Sequence, residues 1–345
     1  MSASDEVGRP DVVVVGAGVI GLTTAVVLAE AGLRVRVDAE RPPGATTSAA
    51  AGATWGPFMI GPEDRVAAWA ATSMPIFEEL AAGPDETGVA VIEGTHQSLT
   101  PTQAPRWAVA AGARPCTEAE LRPGYVVGWR RRSPVLDMPR YLAWLERRFT
   151  HAGGAVRAHA YRSLDEAARE ASVVVNCSGI GAASLVPDPG VTPVRGQVVV
   201  VRHGGALREF FGDETPDAPE LTYAFPHGDT AVLGGTVQRG DGSLEPSPAV
   251  SEAILRRCTA VLPELRGAEV LGTRVGLRPA REQVRLETAE RPAGTDGTYG
   301  PARTGGTGGA VLIHNYGHGG AGVTVSWGCA AEVLDLVKQA GAPGC

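Results

Sequence analysis

Four arginines, Arg274, Arg278, Arg281 and Arg285, stand in the stretch RVGLRPAREQVRLE at offsets of four, three and four. On a helix that spacing would line one face with guanidinium groups, an arrangement suited to a polyanion. Pro279 argues against it, because a proline disfavours helical geometry in the residue before it and lacks its own amide donor. Charge argues the same way. With 31 Lys and Arg against 38 Asp and Glu, the formal net charge is -7, whereas nucleic-acid binding rests on clustered basic residues. Nucleic acid is therefore not an expected partner, and the arginines need a local explanation.

A second constellation is made of glycines. Gly16, Gly18 and Gly21 fall in G-x-G-x-x-G spacing within VVVVGAGVIGLTTAVVLAEAG. This segment is apolar enough to suggest a membrane span, which needs about 20 residues. Its punctuation says otherwise: four valines read as a buried strand, the glycines interrupt the run, and a helix from Leu22 to Ala31 closes on Gly32. No membrane association is expected. In that context Gly16 permits a tight turn, Gly18 lets the backbone approach a pyrophosphate, and Gly21 allows helix and strand to pack closely. The helix N-terminus adds amide donors and partial positive charge. A strand at 33–37 follows, and Glu40, 19 residues beyond Gly21, can accept hydrogen bonds from a ribose diol. The loop at 41–57, crowded with small residues and hydroxyls, suits a long bound cofactor, with Thr46 and Thr47 as donors. These residues imply a dinucleotide but do not distinguish FAD from NAD.

The elements that must position these groups can be read more coarsely. A chain of 345 residues exceeds the roughly 100 to 200 expected per domain, so two interlocked domains or one large one are the alternatives. Residues 64–82 and 137–151 read as amphipathic helices, and 172–185 as a further buried strand running into a small-residue turn. From 195–203 and through 221–240 short β-branched runs broken by Gly and Pro suggest antiparallel strands. The expected architecture is α/β: a Rossmann-like FAD-binding domain (10–55, 140–185 and 285–345) with an interleaved α+β, antiparallel-sheet substrate-binding and dimerisation domain (56–139 and 186–284). Residues 314–324 read as a glycine-dense loop before a terminal helix.

Several function classes lack their anchors. There is no H-E-x-x-H, G-x-S-x-G or P-loop pattern. His314 and His318 are four apart, but the glycines beside His318 make a regular helix unlikely, and no metal site is expected. Five dispersed cysteines without a C-x-x-C pair, and an N-terminus that is acidic where a secretory signal is basic, suit a cytoplasmic protein.

The stretches HNYGHGGAGVTVSWG (314–328), GLRPAREQVRLE (276–287), VVNCSG (174–179) and the N-terminal GAGVIGL resemble the D-amino-acid oxidase family of flavoproteins, in the family's order and over essentially the whole chain. The resemblance implies FAD as cofactor, a D-amino acid and oxygen as substrates, and a homodimer. It implies that Arg278, in the L-R-P triplet, binds the substrate carboxylate. A planar, permanently charged guanidinium suits that role, because it offers a carboxylate a bidentate fork. Tyr223 is implied to help hold the same carboxylate and the Gly320 carbonyl to accept from the substrate amine. Cofactor contacts are expected from Gly319, Gly322, Val323 and Thr324, where a helix N-terminus would stabilise charge on the reduced ring, and from Val19, Ile20, Arg41, Ala51, Gly52 and Tyr161. Arg274, Arg281 and Arg285 are expected to be structural.

The expected reaction is oxidative deamination of neutral D-amino acids, by hydride transfer from the α-carbon to flavin N5, to 2-oxo acids, ammonia and hydrogen peroxide. Neutral side chains are favoured because none of the pocket residues named supplies a second cation, although Arg281 or a lid residue could serve. The alternatives are a D-aspartate, D-glutamate or glycine oxidase, or a flavin-binding protein with little turnover. Two departures from the family pattern bear on this. Pro219 stands where many relatives carry a lid tyrosine, and Gly56 follows Trp55 where a polar residue is common. Both suggest a roomier pocket.

Overall fold

The computed structural model describes residues 9–218, 220–289 and 310–341. Pro219 therefore lies outside the described residues, as do 290–309 of the expected FAD-binding segment. Two sheets organise the chain. The first has six strands in the order Arg285–Thr288, Val311–Tyr316, Val173–Asn176, Val12–Val15, Val35–Ala39 and Ala155–Ala158. All neighbours are parallel except the first pair. Val12–Val15 is fully buried, as expected of β-branched residues covered on both faces. The 12-residue helix Val19–Glu30 is buried around most of its circumference. Its core is shared with the helices Gly322–Gln339 and Met138–His151.

Register explains why ligand-facing loops gather on one edge. Val15 pairs with both Asp38 and Asn176, and His314 pairs with Asn176. The segments that follow, Gly16 onward, Glu40 onward, Cys177 onward and Gly317 onward, consequently leave the sheet side by side at its carboxyl ends. A doubly wound sheet has its binding crevice there.

The second sheet has nine strands. Its pairs are antiparallel apart from one parallel contact between Gly94–Gln97 and Phe210–Asp213. Thr192–Arg202 pairs with Glu269–Ala280 throughout, and also with Thr230–Gly234 and Gln238–Arg239 at non-overlapping residues. The helix Pro248–Val261 covers one face over a separate apolar core.

RVGLRPA is strand, with Arg278 opposite Val194, in keeping with the helix-breaking position of Pro279, and the helical spacing of its arginines has no structural meaning. Two local expectations change. His314 lies on a strand, not in a loop, because VLIHNY is paired on both sides and buried, and the glycine-dense turn begins only at Gly317. The helix Glu63–Leu80, assigned with the substrate domain, buries Val66, Trp69 and Phe77 in the same core as Val19–Glu30 and Gly322–Gln339.

Candidate active site

The turn after Val12–Val15 is built for close approach. Gly16 has φ +111°, and a Cβ there would lie 2.5 Å from the Cys177 carbonyl oxygen. At Gly21 a Cβ would lie 1.8 Å from the Gly16 carbonyl oxygen, so this helix reaches its turn only without a side chain. The Val19 amide donates to Ser48 Oγ at 3.0 Å, and intrahelical bonding begins with the Leu22 amide to the Gly18 carbonyl at 2.9 Å. Ile20 and Gly21 thus occupy the first turn, where a helix offers amide donors to a phosphate.

At the end of the next strand, Asp38 is fully buried and committed: Arg36 and Arg157 each pair with it, at 2.9 and 2.8 Å, and the Tyr161 hydroxyl donates to it at 2.5 Å. Burial opposes its ionisation, yet these partners hold its carboxyl below the ordinary carboxylate range. Glu40, two residues on, is exposed along the cavity wall and is the acid left for a diol. The Thr46 hydroxyl donates to the Pro43 carbonyl at 2.7 Å, and Thr47 Oγ1 donates to the Leu277 carbonyl at 3.2 Å. Both therefore tie the loop down while lining the cavity, and Thr47 fastens it to the strand that carries Arg278.

One cavity of ≈ 1110 Å³ joins these groups. It runs past Gly16, Gly18, Val19, Ile20, Glu40, Arg41, Ala51, Gly52 and Tyr161 and reaches Tyr223, Arg278, Gly319, Gly320, Gly322 and Val323. That exceeds the upper end, about 1,000 Å³, of ordinary small-molecule sites, and suits a dinucleotide with a second ligand beside it. His318 adds an independent sign. Its Nε2 is buried without a partner among the described residues, on the wall next to Gly319, where a bound polar group would satisfy it. Burial also pushes its imidazole down to about 3, so it meets a ligand as a neutral ring. The cradle, the helix N-terminus and this orphaned nitrogen fit FAD.

At the other end, Arg278 Nη1 donates to the Thr236 carbonyl at 3.0 Å, and its guanidinium carbon lies 5.8 Å from the centre of the Phe58 ring. No carboxylate of a described residue lies within ion-pair distance of it. Burial lowers its affinity for a proton, although a guanidinium remains charged. Its position depends on Gly196, where a Cβ would lie 2.5 Å from Nη1. Tyr223 lies flat over Gly234, where a Cβ would come within 1.9 Å of its ring. Burial raises the Tyr223 hydroxyl above its usual value while the nearby Arg278 acts in the opposite direction. The Gly320 amide donates to the Phe58 carbonyl at 3.1 Å and the Gly319 amide to the Pro279 carbonyl at 3.0 Å. Gly319 has φ +52°, and a Cβ there would meet the Met59 carbonyl oxygen at 1.8 Å.

The space beside Gly56 is not vacant. A Cβ there would lie 3.1 Å from the Trp107 ring and 3.7 Å from Arg131 Nη2, so two side chains occupy the place expected to be roomy. Arg131 is 3% exposed and lines the cavity together with His96, Trp107 and Glu214. It donates to the Trp55 carbonyl at 2.6 Å and to Ser133 Oγ at 2.7 Å. Again no described carboxylate is within ion-pair distance. Burial pulls its pKa down to about 10. The expectation that the pocket offers no second cation is thereby corrected. Arg281, the candidate weighed for that role, is paired with Asp188 at 3.0 Å.

Most of the residues singled out by sequence meet in this cavity, with two exceptions. Gly21 packs behind the turn. Thr324 is 1% exposed, and its hydroxyl accepts from the Gly56 amide and donates to the Gly56 carbonyl, both at 3.0 Å; it holds the loop rather than lining the wall. Arg285 bonds Glu287 and the Tyr316 hydroxyl, and Arg274 reaches the Ala49 carbonyl at 3.5 Å; neither lines the cavity. Ser48, Phe58, His96, Trp107, Arg131 and Gly196 went unrecognised. For Arg131 a signal existed: in GWRRRSPV, strand alternation turns the middle arginine away from the other two, and Arg132 is exposed where Arg131 is buried.

Comparison with known proteins identifies the relationship. A family model described as FAD dependent oxidoreductase matches residues 11–336. The D-amino-acid oxidase of Rubrobacter xylanophilus is 47% identical over 95% of this chain and 96% of its own length. That of Streptomyces coelicolor is 47% identical, with 95% and 97% covered. The human D-aspartate oxidase is 36% identical over 95% of this chain and 94% of that protein. In fold, the glycine oxidase of Geobacillus kaustophilus superposes with a TM-score of 0.79 at 22% identity, covering 96% of this chain and 95% of that one.

Proposed function

Because the chain belongs to the FAD dependent oxidoreductase family that includes the D-amino-acid oxidases, we infer that its cavity carries out FAD-dependent oxidative deamination of D-amino acids. The observation that carries this reading is Arg278: a partly buried guanidinium without an acidic partner among the described residues, opening into the cavity that begins at the Gly16–Gly21 cradle. A cation drawn partly out of water calls for an anion, and an amino-acid carboxylate is the anion of the right size and shape.

In this reading Arg278 takes the substrate carboxylate through its fork, with the Tyr223 hydroxyl as second donor. The Gly320 carbonyl accepts from the amine. Holding the substrate at both groups fixes the direction of the α-hydrogen, and such positioning removes much of the entropic barrier, on the order of several kcal/mol. The side chain then lies among Phe58, Phe225, Leu221 and Trp107, whose apolar surfaces exclude water and suit neutral D-amino acids. FAD, held by the cradle and by Gly319, Gly322 and Val323, supplies the hydride acceptor. The imine product adds water to give a 2-oxo acid and ammonia, and oxygen takes up the two electrons as hydrogen peroxide.

We assign cofactor binding to 10–55, 140–185 and 285–345, and substrate binding to 56–139 and 186–284, with Glu63–Leu80 joined to the first. A homodimer is part of the proposal, tested by light scattering. Cytoplasmic residence is also proposed, supported by the four described cysteines being free thiols. Among the described residues no helix is long and apolar enough to cross a membrane.

Anaerobic mixing of the purified yellow protein with D-alanine, D-leucine and D-phenylalanine tests the function directly. Bleaching of the flavin band by D- but not L-enantiomers is expected. A band left intact by every D-amino acid in a broad panel would sink the proposal.

A further inference from the structure

The far wall of the chamber carries more polar chemistry than a neutral substrate uses. His96 is 4% exposed, with Nδ1 at 2.9 Å from Glu214 Oε1 and Nε2 at 3.4 Å from Arg131 Nη2. Since Arg131 only donates, Nε2 is the acceptor and Nδ1 carries the proton given to Glu214. The imidazole therefore stands between the guanidinium and the nearest carboxylate, whose side chain is 43% exposed to solvent. Trp107, Phe210 and Trp55 surround the guanidinium carbon at 5.0, 5.7 and 5.8 Å from their ring centres. Aromatic faces ease the burial of a cation but do not replace an anion. Arg131 Nε is buried without a partner among the described residues.

The placement relative to Arg278 is informative. Arg131 Nη2 lies against Gly56, and the Arg278 guanidinium lies over Phe58, two residues further along the same segment. Both side chains line the same cavity and lie against one short segment, Gly56 to Phe58, so two guanidinium groups face a single chamber. Neither has a carboxylate partner among the described residues.

We propose that Arg131 is a specificity-determining residue that receives the side-chain carboxylate of an acidic D-amino acid whose α-carboxylate is held by Arg278. The inference rests on the oxidase reading above and widens its substrate range from neutral to acidic side chains. Gly56 is part of the device, because any side chain there would displace Trp107 or close the approach to Arg131. Ser133, the Trp55 carbonyl and His96 fix the orientation of the guanidinium and leave Nε, unpartnered among the described residues, for the ligand. Arg130 and Arg132 do not share the role. Arg130 pairs with Glu93 and Glu209 at 2.6 and 2.5 Å on the outer face, and Arg132 is exposed.

The test compares D-glutamate, D-aspartate, D-glutamine and D-norvaline as substrates of the wild-type holoenzyme, Arg131→Met and Arg131→Lys. In Arg131→Met, kcat/KM for D-glutamate or D-aspartate relative to D-norvaline is expected to fall at least tenfold, mainly through KM. Arg131→Lys should retain part of the preference. An unchanged ratio in an Arg131→Met enzyme that still binds flavin and oxidises D-norvaline would overturn the proposal, as would an equal fall for D-glutamine, which would assign Arg131 to amide recognition. Should the variants not fold, the wild-type protein decides alone: titration of its flavin spectrum with glutarate and with pentanoate is expected to give at least tenfold tighter binding of the dicarboxylate, and equal affinities refute the role. That titration needs no turnover, so it separates failure of this inference from failure of the oxidase reading.

Discussion

The two ends of the cavity are made in opposite ways. At the cofactor end, backbone does the work: Gly16, Gly18 and Gly21 lie within six consecutive residues, and their chemistry consists of bare amides and the absence of Cβ atoms. At the substrate end, side chains do the work, and they come from far apart. Arg278, Tyr223, Phe58 and Arg131 belong to separate segments that only the second sheet and its contacts bring together. A backbone site is intolerant of any added atom, whereas a side-chain site can lose one group and keep its shape. Substitutions should therefore divide into those that empty the protein of flavin and those that leave it yellow but slow.

The sharpest break in that division is expected at Gly21. In Gly21→Ala the new methyl would stand 1.8 Å from the Gly16 carbonyl oxygen. Relief requires backbone movement of helix or turn, and overpacking of this kind costs about 1 to 3 kcal/mol or more. The variant should purify with under about a tenth of the flavin of the wild-type protein, read as the ratio of flavin to protein absorbance. A fully yellow Gly21→Ala would show that the cradle is softer than its glycines imply.

Arg278→Leu probes the other end. Truncating one member of a buried charge pair costs about 2 to 5 kcal/mol, or roughly 30- to 5,000-fold. That loss is expected in kcat/KM for D-alanine, with flavin content unchanged. If flavin were lost as well, the two ends would not be separable. Tyr223→Phe should be milder. One hydrogen bond to a charged group is worth about 1.5 to 3 kcal/mol, so kcat/KM should fall about 10- to 100-fold, while the ring still fills its place over Gly234. A steady-state panel at saturating oxygen measures both.

The same division explains what could be read in advance. The cradle was legible because its requirements are local: a buried strand, a glycine spacing, a helix and an acid in order. Arg278 became legible once Pro279 removed the helical alternative and the resemblance supplied its partner. Arg131 did not, because its neighbours Trp55, His96 and Trp107 come from three other segments, and a run of three arginines reads as a solvated face until its strand is known. Likewise, Thr324 carries a hydroxyl at the right place in the motif, yet tertiary contact with Gly56 claims both its donor and its acceptor. The helix Glu63–Leu80 was recognised as amphipathic, but periodicity does not say which of two cores an apolar stripe joins.

Ser48 marks the boundary between the two kinds of construction, and it offers the smallest effect. It is a side chain inside the backbone site: its Oγ accepts the Val19 amide and so takes one of the first-turn donors that a phosphate would otherwise meet. Removing it has opposing consequences. The amide loses a partner, at a cost of about 0.5 to 1.5 kcal/mol, but is freed for the ligand. In Ser48→Ala, thermal stability without flavin should therefore fall by a few degrees, while FAD affinity changes by less than about tenfold because the ligand repairs the loss. Equilibrium dialysis and melting curves with and without FAD check both parts. If affinity fell as far as in Gly21→Ala, the Ser48 hydroxyl would have to be counted with Glu40 and His318 among the side chains that hold the cofactor, and the glycine cradle would no longer act through backbone alone.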